Sequence, residues 1–111
     1  MMTGPAPAAP AHPVRTARLT GMFLVELAFD GNPARLALRP AHRAKLADLH
    51  ASGTVRIAGP YDDQSGAALV FDVPDEATLD AVLADDPYYA ADGVTIVRRV
   101  PFTPVVGGQT P

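Results

Sequence analysis

The chain has 111 residues, enough for one modest hydrophobic core and too few for two. Its formal charge of −3 argues against a nucleic-acid binder, which carries a basic surface, and its lack of cysteine excludes disulfides, thiolate metal sites and a cysteine nucleophile. A cysteine-free chain fits a cytoplasmic setting, and no apolar run approaches the roughly 18 residues that would cross a bilayer.

Pro5, Pro7, Pro10 and Pro13 alternate with alanines, so residues 1–21 are expected to form a disordered Ala/Pro-rich tail. Arg15 and Arg18 ahead of Met22-Phe23-Leu24-Val25 give the outline of a secretion signal. Glu26 interrupts that run, however, and Asp30-Gly31-Asn32-Pro33 is a turn rather than a small-residue cleavage site. Met22 also qualifies as an alternative start.

The domain is expected over residues 22–105, with residues 106–111 a flexible C-terminus. Residues 23–29 alternate aromatic and branched side chains and stop at the Asn32-Pro33 turn, which predicts a strand. Pro40 suits the first turn of a helix. Leu46 and Leu49 follow at helical spacing, and Ser52-Gly53 supplies the stop. Residues 54–58 predict a second strand, ended by Gly59-Pro60, and residues 67–73 a third after a polar loop. Pro74-Asp75 opens a second helix, in which Leu79, Val82 and Leu83 recur at i, i+3 and i+4. Asp86-Pro87 starts a short further turn that Gly93 closes, and residues 94–100 predict a fourth strand.

That order, β-α-β-β-α-β, is the ferredoxin-like arrangement of the α+β class, a four-stranded antiparallel sheet with both helices on one face. The third strand sets Leu69, Phe71 and Val73 against Ala68, Val70 and Asp72, so neither sheet face is strongly polar. An open apolar face calls for a partner, and the expected partner is a second copy of the chain, sheet against sheet.

Two short signatures carry chemistry. Arg39-Pro40-Ala41-His42 places a histidine on the first helix, and Asp85-Asp86-Pro87-Tyr88 places a carboxylate at a helical turn. An imidazole oriented by a carboxylate is the raw material of general acid–base catalysis near neutral pH. His42 shares a helix face with Leu46 and His50, and a polar ring on an apolar stripe needs a partner. A histidine satisfied for purely structural reasons answers the same need. Asp86 likewise suits a cap on the turn that Pro87 begins, and one oxygen can cap while the other faces His42. Asp85, lacking the proline, is expected to be a solvated surface charge.

No metal or cofactor is expected. His42 and His50 lie two helical turns apart, roughly 12 Å, too far to share one ion. The Tyr61-Asp62-Asp63-Gln64 loop lacks the ligand spacing of a calcium loop, and no phosphate or dinucleotide fingerprint is present. Gly59 and Pro60 are expected at a pocket rim, and Tyr88 and Tyr89 either line that pocket or pack the core.

With these signatures, and with His50, Gly53, Ala58-Gly59-Pro60 and Gly66 in the same order, residues 22–105 resemble the YCII-related family. The resemblance implies a dimeric α+β barrel. It also implies an active site on the histidine and the Asp-Pro aspartate, which are His42 and Asp86 in this chain. Some relatives carry a serine after the glycine that opens the third strand, where this chain has Ala67. Some members are associated with dehydrochlorination of halogenated aromatics. Two readings follow. One is a cofactor-independent enzyme, isomerase- or lyase-type, acting on a small aromatic or enolisable substrate through His42 and Asp86. The other is a non-catalytic dimeric module that binds a small ligand or serves a larger assembly. Nucleic acid and membrane are not expected partners.

Overall fold

The computed structural model describes residues 21–107. The expected N-terminal tail up to residue 20 and the last four residues of the expected C-terminal segment lie outside the described residues. The elements are β1 (Met22–Phe29), α1 (Ala34–Ala51), β2 (Val55–Pro60), β3 (Gly66–Asp72), α2 (Glu76–Ala84), a 3-10 turn (Pro87–Ala90) and β4 (Val94–Phe102). The sheet is antiparallel, in the order β2-β3-β1-β4, with two central strands and two edges. This is the expected ferredoxin-like fold.

Alternation in the central strands builds the core. Phe23, Val25 and Leu27 of β1 pair with Phe71, Leu69 and Ala67 of β3, and all six are buried under the helices. Leu79 and Leu83 of α2 close the core from above, with Leu46 and Leu49 of α1 packed at its edge. Each fully buried side chain of this size stabilises the fold by roughly 1.5–3 kcal/mol. Gly66 lets β1 and β3 come together, because a Cβ there would collide with the Leu27 backbone carbonyl. No helix among the described residues is long and apolar enough to cross a membrane.

The other sheet face carries Leu24, Val70, Ile57 and Val100. Within it, Tyr61 donates a hydrogen bond to Glu26 at 2.5 Å, and Arg98 lies 3.6 Å from the same carboxylate. That bond to Glu26, more than partial burial, holds the Tyr61 hydroxyl above its usual range.

Three local expectations are corrected. First, α1 begins at Ala34, not at Pro40, which stands inside the helix. The start is made by two stacked Asx turns: Asp30 Oδ1 accepts from Asn32 N (2.9 Å) and Asn32 Oδ1 accepts from Ala34 N (2.8 Å). Strong helix formers then fill residues 34–39. Pro40 withholds a donor only from the Leu36 carbonyl, on an exposed side of the helix where solvent can serve it. The expected glycine stop holds, with Gly53 at φ +86°.

Second, β2 runs through Gly59 and Pro60 instead of ending before them. It is an edge strand, so the missing proline N–H costs no ladder bond. Third, Asp85 is exposed but not merely solvated, since its carboxylate lies 2.6 Å from Lys45 Nζ. Lys45 also donates to the Asp85 carbonyl at 2.9 Å.

Candidate active site

Asp86 stands at the N-cap of the 3-10 turn, where its extended backbone turns the side chain back over the turn's free N–H groups. Its Oδ1 accepts from Tyr88 N at 3.0 Å. Its other oxygen, Oδ2, lies 2.6 Å from His42 Nδ1. One carboxylate therefore caps and pairs at once. Both residues are buried, His42 at 7% and Asp86 at 6% exposure.

A carboxylate only accepts, so Nδ1 is the nitrogen that carries the proton in this bond. That leaves His42 Nε2 as the free nitrogen. It has no hydrogen-bond partner among the described residues. The ring is clamped by aromatics. Tyr88 stacks parallel to it with centroids 3.9 Å apart, and Tyr89 meets it edge-on at 5.3 Å. Burial, then the Asp86 charge, pushes the Tyr89 hydroxyl well above the usual tyrosine range. The Tyr88 hydroxyl in turn accepts from Arg35 Nη1 at 3.1 Å.

His42 opens on a cavity of about 360 Å³ between α1 and the β2–β3 end of the sheet. Gly59, Pro60 and Tyr88 line it beside the His–Asp pair, whereas Tyr89 is not among the lining residues and packs in the core. Leu27, Leu46 and Leu69 form its apolar wall. Ala67 also lines the cavity and brings no hydroxyl, and Ser65 is not among the lining residues.

Several lining residues escaped the sequence reading. Arg35, Arg39, Arg43 and Gln64 all face the cavity. The signal was present, since residues 35, 39 and 43 recur every fourth position and share a helix face. It is visible only if the helix starts before residue 35. Gln64 is placed by the turn after β2, where it adopts the left-handed backbone (φ 62°) and its N–H bonds to the Tyr61 carbonyl at 2.9 Å.

The remaining candidates stand apart. His50 is exposed, and its Nδ1 lies 3.0 Å from the Val55 carbonyl. His12 falls outside the described residues. Asp63 folds back on Ser65 N at 2.9 Å in an Asx turn. The Ser65 hydrogen bonds hold its carboxyl below the usual range. Among the described residues no three His, Cys, Asp or Glu side chains cluster as a metal site.

A ferredoxin-like α+β domain with a buried His–Asp pair opening on a cavity is the class that fold and site define. The family model of the YCII-related domain matches residues 18–103, and the chain belongs to that family. Among curated proteins, none matches the chain.

Proposed function

We propose that the chain is a cofactor-independent proton-transfer enzyme, isomerase- or lyase-type, acting on a small aromatic or enolisable compound held in the His42 cavity. The observation that carries this reading is the 2.6 Å Nδ1–Oδ2 contact, which leaves Nε2 as the nitrogen free to exchange a proton beside a cavity of about 360 Å³. Nε2 takes a proton from a carbon acid, the C–H electron pair forms a new C=C bond, and in an isomerisation the π pair of the adjacent C=O or C=C moves onto its far atom. The proton returns to a second carbon in an isomerisation. In an elimination, a leaving group departs with its own electron pair. Asp86 keeps the ring in the Nδ1–H form and stabilises the imidazolium formed in between. Tyr88 fixes the plane of the ring. Zero cysteines fit the cytoplasmic setting that completes this reading.

The test is solvent exchange. Enolisable and haloaromatic compounds are incubated with the protein in D2O, and deuterium incorporation or halide release is followed by NMR. His42→Asn and Asp86→Asn are each expected to lower the rate by about 10²–10⁴-fold while the fold is kept. In Asp86→Asn the amide presents a donor to Nδ1, so the ring must carry its proton on Nε2 and loses its base. Wild-type rates in both variants would remove the catalytic reading. A second reading, a non-catalytic binding module whose His–Asp pair serves the fold, draws on the cap that Asp86 gives Tyr88 N.

We also propose that two copies pair through the open sheet face. Its apolar residues Leu24, Val70 and Ile57 support this, Ile57 being 69% exposed in the single chain. Ile57→Asp is expected to shift the mass seen by light scattering from dimer to monomer at micromolar concentration. A monomeric wild type under those conditions would end the dimer proposal.

A further inference from the structure

The cavity beside His42 carries charge of a single sign. Arg35, Arg39 and Arg43 line it from successive turns of α1, and no aspartate or glutamate lines it at all. That is an anomaly in a chain with 12 acidic and 9 basic residues. Cations elsewhere behave differently: Lys45 pairs with Asp85, Arg98 with Glu26 and Arg99 with Glu76 and Asp80. Arg35 is committed to the Tyr88 hydroxyl and lies with its guanidinium carbon 3.9 Å above the Phe29 ring. Arg39 and Arg43 have neither a hydrogen bond nor an ion pair among the described residues.

We infer that the cavity takes a small organic carboxylate, with the apolar body against Leu27, Leu46 and Leu69 and the carboxylate on Arg39 and Arg43. This rests on the proton-transfer reading only for its site, and names the substrate class that reading leaves open. A planar guanidinium matches a planar carboxylate with two parallel hydrogen bonds, which favours this head group over a point charge. The apolar wall favours a ligand with a hydrocarbon or aromatic body over a bare inorganic anion. A volume of about 360 Å³ is at the lower end of small-ligand sites and suits a compound of benzoate size or somewhat larger. Arg39 stands three residues before His42, one helical turn away, and both line the cavity, so a carboxylate held by Arg39 shares that cavity with the ring. In that position an arginine also stabilises the negative charge that develops when the proton leaves. Arg39 and Arg43 are thus positioned to hold the substrate while His42 moves its proton.

The test uses benzoate, benzyl alcohol and inorganic phosphate, titrated into the 111-residue chain by calorimetry. The 15N-labelled His42 imidazole is followed by NMR to place any binding in the cavity. Benzoate is expected to bind saturably and shift the His42 resonances, and benzyl alcohol to bind at least tenfold more weakly. Arg39→Gln and Arg43→Gln are each expected to weaken benzoate about tenfold, as the loss of a charge-assisted hydrogen bond does, with the circular dichroism spectrum unchanged. Added salt should weaken benzoate and leave benzyl alcohol alone. Equal binding of the alcohol, binding of phosphate in preference to benzoate, or no binding of benzoate at millimolar concentration would each overturn the assignment. The same titration on His42→Asn separates the two proposals. Benzoate bound there, with deuterium exchange unaffected in that variant, sinks the catalytic reading and leaves the carboxylate site standing. Exchange that requires His42 but acts only on neutral compounds does the reverse.

Discussion

Two side-chain contacts tie α1 to the segment that follows α2, and they make a natural comparison: a buried hydrogen bond and an exposed ion pair. His42–Asp86 and Lys45–Asp85 use adjacent acids and bases three residues apart, and both close to 2.6 Å. Their surroundings are opposite. The side chains of His42 and Asp86 are 8% and 7% exposed, whereas those of Lys45 and Asp85 are 37% and 75% exposed. Equal distance therefore carries no common energy. Inside, a carboxylate and a ring that give up their hydrogen bond have little water to replace it, so the contact is costly to break. Outside, each charge is already hydrated and screened, and the pair adds little. The same difference divides their chemistry. Only the inner pair holds a proton-carrying ring against a cavity from which bulk water can be displaced.

The largest effect that tests this comparison is Asp86→Ala. It removes the partner of a buried histidine and the cap on Tyr88 N together. A loss of about 3 kcal/mol is expected in urea unfolding, as a charge-assisted hydrogen bond and a cap are lost together. Asp86→Asn keeps an acceptor for Tyr88 N and should recover most of that stability without recovering proton transfer. An Asp86→Ala midpoint no lower than that of Lys45→Ala would break the comparison, and with it the claim that burial sets the cost.

Much of this was legible in the residues. The fold follows from alternation in β1 and β3, from glycine stops and from the spacing of Leu79 and Leu83, all of which are local signals that tertiary packing reinforces. The two signatures marked His42 and Asp86 as candidates, and it was the resemblance to the YCII-related family, not the residues alone, that implied they meet. The arginine stripe was not legible, for a definite reason. Proline reads as a helix start, and placing the start at Pro40 cut Arg35 and Arg39 off from Arg43. The true start depends on Asp30 and Asn32 closing consecutive turns, and on solvent reaching the carbonyl that Pro40 leaves unbonded. Neither the exposure of that helix side nor the edge position of β2 can be read without knowing which faces the sheet covers. The Lys45–Asp85 pair was hidden likewise, since it joins elements 40 residues apart.

The smallest effect belongs to that outer pair, and pH gives it a sharper signature than its size. The hydrogen bond to Asp85 raises the Lys45 pKa above its ordinary value of 10.5, against a weaker opposing effect of burial. A group whose folded pKa is raised binds its proton more tightly when folded, so its contribution is complete below the unfolded value and fades as pH rises through the folded one. Lys45→Met should therefore lower the urea midpoint slightly and by a constant amount from pH 6 to 9. The gap between variant and wild type should then close above about pH 10.5, as lysine loses its charge in both states. Added sodium chloride should shrink the same gap at neutral pH, because an exposed pair is open to counterions, and should leave the Asp86→Ala deficit almost untouched. A Lys45→Met gap that resists salt would mean that the outer pair is shielded after all, and the contrast between the two pairs would then be one of chemistry rather than of burial.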